Sequence, residues 1–369
     1  MLIDKMEIFR TRLRCKKPFR IATGVSDQCE GILVKLTTDT GAVGWGEASP
    51  DPYLTGETMD GVVALLMHDL FPSVRGLSPW QLEEVHRRMA AACVANPSAR
   101  CAIDLACHDL IARQAGVSLV HFLGGSSRRV LTNYSIGLCT AEEAAKEARR
   151  IIESGYRAVK LKVGNDPEED YARVKAVRSA IGPDVPLRID ANEGWTYSQA
   201  LRALTRIEPF GVELIEQPIA RWDYEGMARL RERVTPPLAA DEGVHSPRDA
   251  ARAISAGAVD IINIKLMKSG GLYPARSIVA QARAHGVALM VGGMVGESRL
   301  AVSAATALAA AYRFEYADLD ADLLLADDAV AEGGVTLEGS ERVLPDLPGL
   351  GVQKLDESRL TSEAQPLPR

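Results

Sequence analysis

The chain has 369 residues, 47% hydrophobic and 25% charged, with a formal net charge of −6. That balance is ordinary for a globular protein in water, and it speaks against a nucleic-acid partner, whose phosphates require a basic surface. No apolar run approaches the roughly 20 residues of a membrane span, so no membrane partner is expected. The six cysteines form no CxxC pair and no zinc spacing, which predicts reduced thiols in a cytoplasmic protein. Residues 1–10 read as a charged strand rather than a signal peptide.

Residues 3–14, 30–37 and 42–47 alternate in strand fashion, with a Thr40-Gly41 turn before the last, predicting a three-stranded meander. Residues 19–28, which include Gly24, read as a mobile loop. Helical patterns follow at 59–71, 79–92 and 98–114. The last has an apolar stripe (Ala99, Ala102, Ile103, Ala106, Leu110) opposite a polar one (Arg100, Asp104, His108), predicting a helix whose stripe packs against the barrel. Residues 1–130 are therefore expected to form an α+β capping domain. The Pro- and Gly-rich tail, about 344–369, is expected to return to it.

From residue 131 the pattern changes. Short apolar segments end in charged residues at Lys160-x-Lys162, Asp190, Glu216, Asp241 and Lys265. The spacing is roughly 25 to 30 residues, the length of one βα unit. Helical patterns at 171–181, 198–207 and 247–256 fill the gaps. A repeated β-then-α series predicts a parallel sheet, and here an α/β (β/α)8-type barrel over residues 131–343. In such barrels chemistry sits at the C-terminal ends of the strands. With strand 1 at 131–137, Lys162 lies on strand 2 and Lys265 ends strand 6, on opposite sides of the mouth. Asp190, Glu216 and Asp241 lie on the arc between them.

Three carboxylates at one mouth raise one another's pKa unless a cation joins them. An all-oxygen set of one Glu and two Asp suits Mg²⁺. Lys160 beside Lys162, near a divalent cation, is expected to depress the lysine pKa toward the working range of a base.

Lys160-x-Lys162, Asp190-x-Asn192, Glu216-Gln217-Pro218, Asp241-Glu242 and Asn263-Ile264-Lys265 together resemble the enolase superfamily, muconate-lactonizing-enzyme subgroup. The resemblance runs from Gly44-Trp45-Gly46-Glu47 through Gly349-Leu350-Gly351. It implies that Lys162 and Lys265 are the acid/base pair and that Asp190, Glu216 and Asp241 hold Mg²⁺, while Lys160 is expected to assist catalysis through its charge beside Lys162. None of the six histidines ends a barrel strand, which points to a lysine/lysine enzyme.

Two bases on opposite faces of an α-carbon permit racemisation or epimerisation, and the same frame supports dehydration or cycloisomerisation. Asp318-x-Asp320 resembles the pair with which dipeptide epimerases of this subgroup hold a substrate's α-ammonium, and the same resemblance puts Ser135 and Gly293, Met294 and Val295 in the pocket. A dipeptide epimerase is therefore the favoured reading. The alternatives are a dehydratase, racemase or cycloisomerase acting on another carboxylic acid, and a non-catalytic binding barrel. The complete lysine and carboxylate set argues against the last. Where members selecting a C-terminal glutamate carry a basic residue, this chain has Gly24, and its strand-7 loop is slightly long. Oligomeric state is not written in these motifs, so a homo-oligomer stays open.

Overall fold

A computed structural model describes residues 1–363, and the end of the expected returning tail, 364–369, lies outside the described residues. The chain opens with β1 (Ile3–Ile21), β2 (Gly24–Thr38) and β3 (Val43–Ala48), an antiparallel meander. Ile3, Met6, Ile8, Ile32, Val34 and Leu36 form its buried face. Against that face lies the helix Pro97–Gln114. Gly44 and Gly46 let the helix approach, since a Cβ at either would strike the carbonyls of Ala106 and Ala102.

Two expectations for this part need correction. Residues 19–28 are not a loop but the tip of the long β1–β2 hairpin, with Phe19 facing Ser26 and Ile21 facing Gly24. A shift in register after Arg14 breaks the regular alternation there, which hides the strand in the sequence. The apolar stripe of the helix Pro97–Gln114 packs on the cap sheet and not, as expected, on the barrel, which meets its polar side instead. Asp104 and His108 are fully buried. Asp104 accepts hydrogen bonds from His86 Nε2 at 2.7 Å and from the Leu272 and Tyr273 amides at 2.5 and 3.3 Å. Burial and the His108 and His86 rings beside it leave that carboxyl well below its ordinary value, the rings outweighing the burial.

The short strand β4 (Arg129–Leu131) lies outside the barrel. The barrel strands are β5 (Tyr134–Ile136), β6 (Val159–Lys162), β7 (Leu187–Asp190), β8 (Leu214–Glu216), β9 (Leu238–Ala240), β10 (Ile261–Ile264), β11 (Ala288–Gly292) and β12 (Tyr316–Asp318). They are parallel and neighbour one another in chain order. The first barrel strand is thus shorter than the expected 131–137, and Leu131 belongs to β4, half exposed on the outer surface. Helices between the strands start on local signals. Thr140 and Glu143 form a reciprocal capping box, as do Thr196 and Gln199.

No strand ladder joins β12 to β5. The seam is closed mainly by side chains: Leu319 N–H donates to Thr132 Oγ1 at 2.8 Å and Ser135 N–H to Asp320 Oδ2 at 2.7 Å. Beyond the barrel, β13 (Val330–Gly333) pairs with β16 (Val352–Leu355), and β14 (Thr336–Glu338) and β15 (Glu341–Val343) continue onto β4. β17 (Leu360–Ser362) adds a fourth strand to the first sheet beside β1. On the way back Leu350 N–H donates to Asp109 Oδ1 at 2.8 Å.

Candidate active site

Every barrel strand presents its C-terminal end to one mouth, and the charged residues sit there. On β6, Val159 and Leu161 belong to the hydrophobic core, which turns Lys160 and Lys162 together to the other side. Lys160 Nζ lies 2.5 Å from Asp318 Oδ2, 2.7 Å from Glu216 Oε2 and 2.9 Å from Asp190 Oδ2. Lys162 Nζ lies 2.6 Å from Asp190 Oδ2. Across the barrel, Lys265 Nζ is 2.7 Å from Asp241 Oδ2 and Lys268 Nζ is 2.6 Å from Asp241 Oδ1.

The backbone at these strand ends is bent to fit. Asn192, Glu193 and Gln217 have φ of 41°, 65° and 33°, a region that costs a non-glycine residue energy and clusters at functional sites. Gln217 Oε1 accepts from the Asp241 and Gly243 amides, each at 3.0 Å, which fixes the loop bearing Asp241. Asn263 Nδ2 holds Glu216 Oε1 at 2.7 Å, and Asn192 Nδ2 holds Glu242 Oε1 at 2.9 Å.

Charge in this cluster is tightly balanced. Burial and the neighbouring Asp190 push the Glu216 carboxyl up to about 7. Burial alone would lower the Lys160 ammonium, but Asp190, Asp318 and Glu216 outweigh it and hold the group well above its ordinary value. Lys265 is raised in the same way, burial being overcome by Asp241 and Glu242. For Lys160 the direction is set by the acids around it. Its acid neighbours dominate, and it is a tie among three carboxylates.

Lys162 and Lys265 line a cavity of about 250 Å³ beneath the cap hairpin, together with Ser135, Gly293, Met294, Val295, Asp318 and Asp320. Lys160 is 1% exposed and does not line it. The two strand-8 acids differ in how they are used. Asp318 is engaged at both oxygens, by Asn133 Nδ2 at 2.6 Å and Ser135 Oγ at 3.1 Å on one and by Lys160 on the other. Asp320 is met by Ser135 alone among the described residues, through its amide at 2.7 Å and with its hydroxyl close by. Burial and the Asp318 charge push its carboxyl up to about 6.

Asp190, Glu216 and Asp241 are fully buried at the ends of neighbouring strands. Among the described residues no three acid, histidine or cysteine side chains are gathered to clasp an ion as they stand, because each of these carboxylates is drawn to a lysine. The donor set nevertheless fits a hard divalent cation: it is all oxygen, mutually repelling, and already seeks positive charge. Glu242 and Lys268 belong to this site although no role was expected for them. Glu242 lines the cavity, pushed up to about 8 by burial and Asp241. The pairs Asp241-Glu242 and Lys265-x-x-Lys268, one turn apart, were the available signals. Among the described residues, a larger cleft of about 540 Å³ between β1, β3 and the 352–362 segment carries no comparable carboxylate set.

A barrel of this topology, with acids on three successive strands and lysines facing across it, defines a known class. The description "Mandelate racemase / muconate lactonizing enzyme, N-terminal domain" matches residues 5–124, and "Enolase C-terminal domain-like" matches residues 143–358. The chain belongs to the enolase superfamily, in its mandelate racemase/muconate-lactonizing branch. It is 37% identical over 359 residues to the L-Ala-D/L-Glu epimerase of Clostridium acetobutylicum, across 96% of this chain and 100% of that one. The substrate-liganded L-Ala-D/L-Glu epimerase from Bacillus subtilis superposes with a TM-score of 0.94 at 36% identity, covering 96% of this chain and 100% of that chain. The dipeptide epimerase from Enterococcus faecalis V583, complexed with Mg and L-Leu-L-Tyr, gives 0.93 at 35% identity with the same coverage, 96% and 100%.

Proposed function

We propose that this protein is a Mg²⁺-dependent dipeptide epimerase. The observation that carries the reading is one cavity lined from opposite strands by Lys162 and Lys265, with Asp318 and Asp320 beside it on β12 and the residues following. The similarity to dipeptide epimerases over nearly the whole chain supports it.

In this reading Asp190, Glu216 and Asp241 hold the ion near the substrate's C-terminal carboxylate. A cation held there would supply Lewis-acid polarisation of that carboxylate and would compete with Lys160 and Lys265 for the charge of the three acids. Lys162 removes the α-proton from one face, and Lys265 delivers a proton to the other, inverting the centre. Lys160 positions Asp190, Glu216 and Asp318 without touching substrate. Asp320 receives the dipeptide's ammonium on its uncommitted oxygen, and Gly293, Met294, Val295 and Ser135 complete the wall. The protein is further proposed to act in the cytoplasm, since its cysteines are all free thiols, and without nucleic acid, given its net charge of −6. No helix among the described residues is long and apolar enough to cross a membrane. A homo-oligomer is compatible with this reading, since the named residues lie together at one barrel mouth.

The test is exchange of the α-proton of free dipeptides in D₂O with Mg²⁺, followed by NMR, against the same dipeptides N-acetylated. Exchange with change of configuration is expected for the free dipeptides. Equal turnover of the acetylated forms would reject the ammonium assignment and favour an N-acyl amino acid racemase.

A further inference from the structure

The far wall of the same cavity comes from the cap, and its composition bears on the substrate's side chain. Phe19 and Ile21 on the β1–β2 hairpin give it an apolar floor, and Glu30 on β2 and Asp51 after β3 give it an acidic edge. Phe19 is buried, while Glu30 is exposed and Asp51 half-buried. Asp51 spends one oxygen on the Tyr53 and Leu54 amides at 2.8 and 2.6 Å. Glu30 stands opposite Arg12 in the strand register, yet among the described residues neither Glu30 nor Asp51 forms an ion pair. The only cationic side chains lining the cavity, among the described residues, are Lys162 and Lys265, both already placed in the reaction.

With the substrate carboxylate at the metal and its ammonium at Asp320, the remaining substituent of the epimerised carbon faces this cap wall. An aliphatic stem ending in a cation matches an apolar floor with an acidic edge, because Lys and Arg side chains cover apolar surface while their heads stay at a polar rim. A carboxylate-bearing side chain would meet Glu30 and Asp51 with no free cation to receive it. Resting on the epimerase reading, we propose that the C-terminal residue of the preferred dipeptide carries a long cationic side chain, its stem on Phe19 and Ile21 and its charge toward Glu30 and Asp51. This separates the chain from the L-Ala-D/L-Glu epimerase it resembles at 37% identity.

The experiment compares kcat/KM for α-proton exchange of L-Ala-L-Lys, L-Ala-L-Met and L-Ala-L-Glu by the full chain with Mg²⁺. Lysine is expected to exceed methionine by about fivefold, as a solvent-exposed charge pair allows, with glutamate the poorest. Raising salt should shrink the Lys-to-Met ratio, and the double variant Glu30→Gln/Asp51→Asn should bring it toward unity. A glutamate rate equal to or above the methionine rate, or a ratio unchanged by both salt and the double variant, overturns the proposal while leaving an epimerase. Failure of all three dipeptides to exchange removes the epimerase reading, and this inference falls with it.

Discussion

At the scale of single residues, the two strand-8 acids have separate work, and their partners say which is which. Asp318 is held by Asn133, Ser135 and Lys160, so it organises the lysine cluster, whereas in the proposed function Asp320 keeps an oxygen for substrate. Removing one charge of a desolvated, hydrogen-bonded pair costs about 2–5 kcal/mol. Asp320→Asn is therefore expected to lower kcat/KM for free dipeptides by tens- to thousands-fold, and N-acetylation should then cost the variant much less than the wild type. The pH dependence follows from the same group. Its carboxyl is raised to about 6, so it becomes neutral as pH falls through that value and can no longer pair with an ammonium. An acidic limb near pH 6 is expected in kcat/KM, which reports the free enzyme, and Asp320→Asn should remove it. Stability should move the other way. A carboxyl whose folded value lies above its unfolded one, about 3.9, binds more protons when folded, so its ionisation penalises the fold as pH rises through that window. The Tm of Asp320→Asn should exceed that of wild type at pH 8, with the gap closing toward pH 4. A variant no more stable at pH 8 than at pH 4, relative to wild type, would mean that Asp320 is not a strained carboxylate.

At the scale of elements, much of the barrel is legible because its strands end in charges. Lys162, Asp190, Glu216, Asp241 and Lys265 each terminate an apolar segment at nearly constant spacing, and the spacing itself encodes the βα unit. Other elements carry no such mark. The β1–β2 hairpin runs through Pro18 and a register shift after Arg14, so alternation is lost where the hairpin covers the site. The helix Pro97–Gln114 reads as amphipathic, but its polar stripe is buried because Asp104 finds partners on the helix Leu272–Ala284, far along the chain. Only the tertiary arrangement supplies them. The seam between β12 and β5 is likewise invisible beforehand, since Thr132 and Asp320 replace ladder bonds. The contact between that helix and β3 can be tested directly. Gly46→Ala places a methyl against the Ala102 carbonyl, and overpacking of this kind costs about 1–3 kcal/mol. Its Tm should fall, and an unchanged Tm would mean that the helix does not bear on β3 at that point.

At the scale of the whole molecule, the barrel supplies rigid strand ends, and the cap hairpin closes the mouth over them. The site's buried acids and lysines neutralise one another as shared clusters rather than as separate pairs. A divalent cation should therefore shift the balance without unfolding anything, and binding should raise Tm as mass action requires. Treatment with EDTA is expected to abolish α-proton exchange, and Mg²⁺ to restore it. Full turnover with metal analysis showing an empty site would remove the ion from the account. The central claim is that Lys162 and Lys265 address opposite faces of one α-carbon, and it is tested most directly by single-turnover deuterium exchange with Lys162→Ala and Lys265→Ala on both epimers of a dipeptide substrate. Each variant should lose epimerisation and exchange the α-proton of one epimer only, with the two variants showing opposite preferences. A variant that still interconverts the epimers, or two variants that exchange the same epimer, would contradict it.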